Sequence, residues 1–289
     1  MQSGLFKDKL HSRHPRTILS KKQSRRIGLR LYELESAFAS NLEPTSPRLR
    51  SYKQSRLLGQ AARLCQLIRG HDVIDDPDRL VAIAASQLKI DPMHFDDVLR
   101  VLGEADLVEQ RKGKIYEKVR QIDFGENYER VGSLWQSRDK DHREELTIHS
   151  LDELVEFPQL ASELAILSGT SDAVRNQVLE VASNARLIET LNVGTGEPML
   201  FAPILWDLDP KRVSSAVGQL GSASGLKQIM AKIQCAASGA ELPLLQLSSI
   251  EEGLASKAIT IGLLPTFPVN SVSGEKSFTF TPCSDGERW

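Results

Sequence analysis

The sequence VLRVLGEADLVE at residues 98–109 returns eighty positions later as VLEVASNARLIE at residues 178–189. In both copies the aliphatic residues first recur at helical spacing and then run into a short apolar segment typical of a strand. A turn that contains glycine follows each copy, at 111–114 and at 194–197. The pattern predicts two small units, each of which ends in a helix and a two-stranded hairpin.

The similarity between the two copies extends upstream of the quoted stretch. An ungapped comparison of 80–109 with 160–189 has eight identities in thirty positions, where the residue frequencies of an average protein would give about two. The shared residues are mostly aliphatic, so a common packing plan accounts for part of the match. We interpret the repeat as one of architecture rather than as proof of common ancestry.

The first unit is predicted over residues 57–120. Its predicted elements are helices at 57–68, 80–88 and 92–104, and strands at 107–110 and 115–119. Asp91-Pro92 marks the start of the third helix, because Asp is a good N-cap and Pro fits the first helical position.

The second unit is predicted over residues 146–209. Its predicted elements are early helices up to residue 167, a helix at 172–184, and strands at 187–193 and 199–204. Ser171 stands where Asp91 stands in the first unit and is predicted to cap the helix 172–184.

The order of elements in 57–119 and 146–204 resembles that of tandem winged-helix proteins. The resemblance implies a fold that is mainly α with small β-hairpins, an α+β protein, and it implies a binding module. Winged-helix domains bind DNA through the third helix and the hairpin, called the wing, or use the same surfaces to bind proteins. The element order therefore leaves the ligand open between DNA and protein.

Four further segments complete the predicted organisation. They are a basic, disordered arm at 1–24, an amphipathic helix and linker at 25–56, an acidic connector at 121–145 and a tail at 210–289. The tail has a predicted helix at 226–233, another at 250–258, and a hairpin of 267–272 with 277–281. The sequence leaves open whether this tail is a degenerate or truncated third winged unit, and whether the chain is a fragment.

The net charge of −2 conceals an asymmetry along the chain. Residues 1–56 hold thirteen Lys and Arg against four Asp and Glu, whereas the remainder holds 23 against 34. A basic arm on an acidic body gives information about the binding partners of the protein rather than about its fold. The arm is compatible with binding to nucleic acid, to an acidic protein or to its own body.

Three groups of residues have the chemistry of a DNA-binding surface. Arg, Lys, Asn and Gln can bind base edges in the major groove, and basic side chains position phosphates. The three groups are Arg111, Lys112 and Lys114 in the first wing, Arg175, Asn176 and Gln177 at the start of the helix 172–184, and Lys21, Lys22, Arg25 and Arg26 in the arm. The leading hypothesis is a non-enzymatic, DNA-associated protein, most simply a transcriptional regulator.

Acidic residues favour an alternative hypothesis. Asp96 and Asp97 would face phosphates at the reading end of the first unit's third helix, and residues 161–209 hold only two arginines against seven acids. Without basic anchors a unit binds duplex DNA weakly. The alternative is a protein-interaction scaffold of tandem winged-helix units, such as a subunit of a chromosome-associated complex or a homo-oligomer.

The sequence offers no enzyme motif. Gly194-Thr195-Gly196 precedes a predicted strand rather than a helix, so it lacks the context of a phosphate-binding loop. We expect no cofactor, no metal and no small-molecule site. No apolar run is long enough to span a membrane, and three scattered cysteines fit a reducing, cytoplasmic compartment. Trp135 and Trp206 are predicted to pack in seams between units.

Overall fold

The computed structural model describes residues 20–119, 124–156, 158–162, 164, 167, 169–192, 198–203, 240–241, 249–260, 266–271 and 274–279. Over these residues the chain is mainly helical, with three small antiparallel sheets of three strands each. The predicted α+β class is confirmed at this level.

The α-helices of the described residues are α1 Lys21–Asn41, α2 Lys53–Ile68, α3 Pro77–Ile83, α4 Phe95–Glu104, α5 Phe124–Ser137, α6 His142–Glu156, α7 Asp172–Asn184 and α8 Ser249–Thr260. The strands are β1 Val73–Ile74, β2 Val108–Arg111, β3 Lys114–Glu117, β4 Gln159–Leu160, β5 Glu189–Asn192, β6 Pro198–Phe201, β7 Ala240–Glu241, β8 Thr266–Ser271 and β9 Gly274–Thr279. Short 3-10 helices lie at Pro47–Tyr52 and Pro92–His94, and a π-helical turn lies at Ala84–Leu88.

The three sheets share one strand order. Their orders are β1-β3-β2, β4-β6-β5 and β7-β9-β8, so the last strand lies between the other two each time. In each case an isolated short strand comes first, and a helix (α4, α7 or α8) comes directly before the hairpin. The third occurrence lies in the tail, where the sequence left the assignment open.

The repeated stretch adopts the same backbone conformation in both copies. The Leu107 N–H donates to the Leu102 carbonyl, and the Leu187 N–H donates to the Ala182 carbonyl, each at 2.8 Å. The residue before each leucine has a positive φ, 55° in the first copy and 57° in the second. This is the hydrogen-bond pattern of a Schellman motif, here with Asp or Arg where glycine is usual. The repeat therefore specifies how each helix ends as well as what it packs on.

The aliphatic residues of the repeat form the core of both units. Val98, Leu107, Val178 and Leu187 are fully buried. Burial of each such side chain stabilises the folded state by about 1.5–3 kcal/mol relative to leaving it exposed. The prediction that the repeat encodes a packing skeleton is confirmed.

Helix α1 begins four residues before the predicted helix at 25–40. The Ser20 hydroxyl accepts from the Gln23 N–H, and the Gln23 side chain accepts from the Ser20 N–H. This reciprocal pair is a capping box, which the Ser-x-x-Gln spacing encodes. The assignment of residues 20–24 to a disordered arm is wrong, whereas residues 1–19 lie outside the described residues.

Within residues 121–145, which the sequence predicted to be an acidic connector, the structure has α5 and the first residues of α6. Helix α5 packs along α1 with the two backbones in direct contact. A Cβ added to Gly28 would overlap the Tyr128 carbonyl, and one added to Gly132 would overlap the Ser24 carbonyl. Tyr128, Val131 and Trp135 of α5 are buried and fall at helical spacing, so the sequence does contain a signal for this helix.

Helix α1 packs against α2, α5 and α6 and so lies between the two predicted units. Its apolar stripe, Ile27, Leu31, Leu34 and Phe38, is buried. The sequence predicted this stripe without indicating what covers it. An element that the sequence placed in an N-terminal segment is therefore part of the common core.

Several predicted boundaries shift in the first unit. The helix predicted at 80–88 is α3 followed by the π-helical turn, and the helix at 92–104 starts as a 3-10 turn before α4. The Asp91 side chain accepts from the Met93 N–H at 2.9 Å, as an N-cap should. The predicted four-residue turn at 111–114 contracts to two residues, because Arg111 pairs with Lys114.

Boundaries also shift in the second unit and in the tail. Leu160 lies in β4 rather than in an early helix, and Ser171 occupies the N-cap of α7 without a side-chain cap bond. The tail hairpin forms, but Ser271 pairs with Gly274, so the turn lies earlier than residues 273–276. The predicted turn at 194–197 and the predicted helix at 226–233 lie outside the described residues.

Candidate interaction surface

The β2–β3 hairpin, which we call the first wing, brings three predicted basic residues to one exposed tip. Lys112 and Gly113 form its turn with positive φ values of 50° and 74°. Positive φ at both central residues is what a two-residue type I′ turn requires. Arg111 and Lys114 flank the turn and pair across the hairpin.

Carboxylates of the same unit lie beside the two flanking cations. Arg111 donates to Glu109, its neighbour on the same face of β2. The Lys114 Nζ lies 2.6 Å from an Asp75 carboxylate oxygen, and this hydrogen bond raises the pKa of Lys114. The tip therefore has basic and acidic groups side by side rather than a continuous positive surface.

The base of the first wing has the same mixture of charges. The Lys118 Nζ lies 2.7 Å from Asp106, and this contact lowers the pKa of the Asp106 carboxyl. Arg130 of α5 also reaches Asp106, at 3.3 Å. Lys112 is the wing cation with no ionic partner among the described residues.

The exposed face of α4 is predominantly acidic. Asp96 is exposed, and Asp97 binds Arg100 at 2.5 Å with His94 on its other side at 4.0 Å. Carboxylates in the first turn stabilise a helix through its dipole, but they repel phosphates. Met93, just before α4, is 87% exposed.

The predicted base-reading residues of α7 are partly occupied by contacts within the chain. Arg175 binds Asp172 one turn earlier. The Gln177 side-chain oxygen accepts from the Arg143 Nε at 2.8 Å. Asn176 is exposed between them. The three residues lie on one stretch of the helix, but only Asn176 has no side-chain partner among the described residues.

The predicted basic cluster of the arm lies in the first two turns of α1. Arg26 forms two contacts with Asp152 of α6, Nε to Oδ1 at 3.0 Å and Nη2 to Oδ2 at 2.9 Å. The Lys21 Nζ lies 3.7 Å from Glu129 of α5. The Arg25 guanidinium lies over Gly125. These three side chains contact α5 or α6 of the same chain.

Lys22 also makes a contact within the structure. Lys21 and Lys22 are nevertheless exposed, whereas Arg25 and Arg26 are half-buried against α5 and α6. Of the predicted DNA-binding cluster, the two arginines are therefore engaged with the body of the protein.

A set of seam residues that the sequence did not single out joins the two units. The Tyr52 hydroxyl and the Thr147 hydroxyl lie 2.9 Å apart, and the Ser55 N–H donates to Glu144 at 3.0 Å. Trp135 donates from its indole N–H to the Ser55 hydroxyl at 3.1 Å and is 1% exposed. The prediction that Trp135 packs in a seam is confirmed, whereas Trp206 lies outside the described residues.

Buried charges accompany this seam. Arg30 of α1 is fully buried, binds Glu33, and has its Nε 3.5 Å from Asp152. Burial raises the pKa of Glu33, an effect that Arg30 opposes. Glu35, which binds Arg56 and Gln60, has its pKa raised by burial in the same way. Sequence patterns give no warning of such groups, because a charged residue in a helix is normally exposed.

The described residues contain no group of three or more His, Cys, Asp or Glu side chains placed to hold a metal. Burial raises the pKa of the Cys65 thiol to about 12, so the reactive thiolate is scarce at neutral pH. None of the described helices combines the length and the apolar character that crossing a membrane requires.

The chain matches no protein-family model, no curated protein and no solved structure.

Proposed function

We propose that this chain is a non-enzymatic interaction protein built of tandem winged-helix units, and that its partner is a protein. The order α2, β1, α3, α4 and the β2–β3 hairpin, with strand order β1-β3-β2, supports this architecture. The elements α6, β4, α7 and the β5–β6 hairpin have a corresponding order. The third sheet, with α8 before its hairpin, supports a third unit in the tail.

One observation favours a protein partner over DNA: carboxylates lie among the exposed cations of both units. Asp75 and Glu109 contact the first wing, and Asp96 and Asp97 lie on the exposed face of α4. DNA affinity depends on neutralising phosphates with basic side chains. A mixed surface suits a protein partner, because opposite charges on two proteins set register and suppress wrong partners.

DNA is the second candidate, and the tip of the first wing is the observation that favours it. Lys112 has no ionic partner among the described residues, and Arg111 and Lys114 pair with carboxylates at the surface. Exposed ion pairs contribute about 0–1 kcal/mol to the stability of the fold, so little energy is lost when they break. Phosphates could therefore replace Glu109 and Asp75 as the partners of these cations.

A variant that makes both exposed third helices more basic separates the two candidates. In Asp96→Arg/Asn176→Arg, the surfaces of α4 and α7 each gain positive charge. A matched control, Glu43→Arg/Thr45→Arg, adds the same total charge at exposed positions between α1 and the 3-10 helix. The wild-type chain and both variants are immobilised at full length and exposed to nuclease-treated cell extract. A mixed DNA pool is titrated separately at two salt concentrations.

We expect a nuclease-resistant protein complex that the wild type and the control retain and that the α4/α7 variant loses. We expect no DNA binding by the wild type even at low salt. If the wild type binds DNA with a strong salt dependence and the α4/α7 variant binds it more tightly, DNA replaces protein as the ligand.

A further inference from the structure

The helices α1 and α5 form an antiparallel pair that contacts both units. Ser24 lies against Gly132 and Gly28 lies against Tyr128, so the two helices run in opposite directions. Helix α1 contacts α2 of the first unit and α6 of the second. The pair therefore occupies the position of a common support.

Each helix of this pair binds the C-terminal end of one unit's third helix. Arg130 of α5 donates to the carbonyls of Ala105 and Asp106, at 3.4 and 2.9 Å. Asn41 of α1 donates to the Ala185 carbonyl at 3.0 Å. Ala105 and Ala185 are equivalent positions of the repeat. The same position is therefore bound by α5 in the first unit and by α1 in the second.

Further polar contacts hold α6 at three positions along its length. Near its start Glu144 accepts from the Ser55 N–H of α2, and in its middle Thr147 contacts Tyr52 of the 3-10 helix that leads into α2. Asp152, four residues before the end of α6, contacts Arg26 and Arg30 of α1. Rotation of α6 relative to α1 and α2 would break these contacts.

We propose that the α1–α5 pair is a rigid brace that fixes the distance and orientation between the exposed first turns of α4 and α7. The partner would then present two contact sites at one fixed separation and bind both units together. This inference rests on the proposed function, because it takes these first turns as binding surfaces.

The distance between two spin labels on the full chain without a partner tests the brace. The labels are attached at Asp96→Cys and Asn176→Cys, which are exposed and equivalent in the repeat. Cys65 is buried, with its pKa raised to about 12, and is not labelled under native conditions. Cys235 and Cys283 are replaced by serine. The distance distribution is measured by double electron–electron resonance.

We expect one narrow distance in this chain. Adding Asn41→Ala and Asp152→Asn weakens the brace at two positions and should introduce a second, broader component in the distance distribution. Arg48→Ala is the matched control, because the exposed Arg48–Glu180 pair also reaches α7 but lies outside the brace. It should leave the distribution unchanged.

A broad or bimodal distribution in the chain with an intact brace would overturn the proposal. So would a distribution that keeps its width in the Asn41→Ala/Asp152→Asn chain. If that variant does not fold, the width of the distance distribution in the chain with an intact brace still decides whether the proposal holds. The result does not depend on any partner, so it stands apart from success or failure of the proposed function.

Discussion

Arg26 and Asp152 form a two-point ion pair between α1 and α6, with contacts of 3.0 and 2.9 Å. Their side chains are only 18% and 22% exposed, and the buried Arg30 contacts the same carboxylate. Removing the shared acid would take from two arginines of α1 a carboxylate that both contact, in a seam that is largely shielded from water.

We expect Asp152→Asn to lower the free energy of unfolding by about 2 kcal/mol, because both arginines lose charge-assisted hydrogen bonds to one carboxylate. Urea unfolding followed by circular dichroism measures this change. The control is Asp97→Asn, which breaks an exposed pair with Arg100 and should cost less than about 1 kcal/mol. Equal costs for the two variants would contradict the assignment of Asp152 to a structural seam.

The glycines between α1 and α5 give a second prediction. Gly132→Ala places a Cβ against the Ser24 carbonyl and the Gly28 nitrogen, which are backbone atoms that cannot move without shifting α1. We expect a loss of about 3 kcal/mol, at the upper end of the usual cost of overpacking.

Gly103 of α4 supplies the control, since nothing lies within 4 Å of an added Cβ there. Gly103→Ala should stabilise the protein by about 0.5–1 kcal/mol, because alanine is the better helix former. The two thermal midpoints should therefore move in opposite directions from the wild-type value. Stabilisation by both substitutions would mean that the two backbones are not in contact.

His149 gives a prediction about pH. Its ring lies edge-on to Trp135, with ring centroids 6.3 Å apart, and burial lowers its pKa below the ordinary 6.5. Protonation is then easier in the unfolded chain than in the folded one. The contribution of His149 to stability is complete above pH 6.5 and is lost as the pH falls below it.

Comparison of the wild type with His149→Gln isolates this contribution, because Glu33, Glu35 and Glu144 have raised pKa values and respond to acid in the opposite direction. Urea unfolding at pH 7.5, 6.5 and 5.5 should show the wild type losing stability relative to the variant as the pH falls. A difference that does not change with pH would show that His149 titrates alike in the folded and unfolded states.

The Cys65 thiol should resist modification in the native chain. In a Cys235→Ser/Cys283→Ser background, we expect an aromatic disulfide reagent at pH 8 to react with Cys65 only when denaturant unfolds the protein. The cause is burial, which raises the pKa of this thiol to about 12. Rapid reaction without denaturant would place Cys65 at the surface.

The sequence predicted those features that depend on neighbours along the chain. Val98 and Val178 lie in apolar stripes at helical spacing, and Lys112-Gly113 is a local turn signal. Asp91 is an N-cap that needs only the next few residues. In each case the deciding contacts span a few positions, so the residue pattern records them.

The parts that the sequence missed depend on distant contacts. Helix α5 meets α1 through glycine backbone contacts that no local pattern records, as between Gly132 and Ser24. The helix itself is readable, because its buried Tyr128, Val131 and Trp135 fall at helical spacing. The acidic neighbour of Lys114 is another case, because Asp75 is far from Lys114 in the sequence and yet its carboxylate lies 2.6 Å from the Lys114 Nζ. Basic residues of the arm looked available for DNA, but Arg26 finds its partner 126 positions away.

The position of α1 has a consequence for synthesis on the ribosome. This helix emerges early, but Asp152, its partner on α6, follows the arginine by 126 residues. At about 5–20 residues per second, the interval is on the order of ten seconds. Over that time α2 and α5 are made and can cover the apolar stripe headed by Ile27 and Leu31, but the carboxylate that Arg26 and Arg30 bind is still missing. The nascent chain thus passes through a stage in which the seam between α1 and α6 is open to chaperone binding or aggregation, and it leaves that stage only when α6 is made.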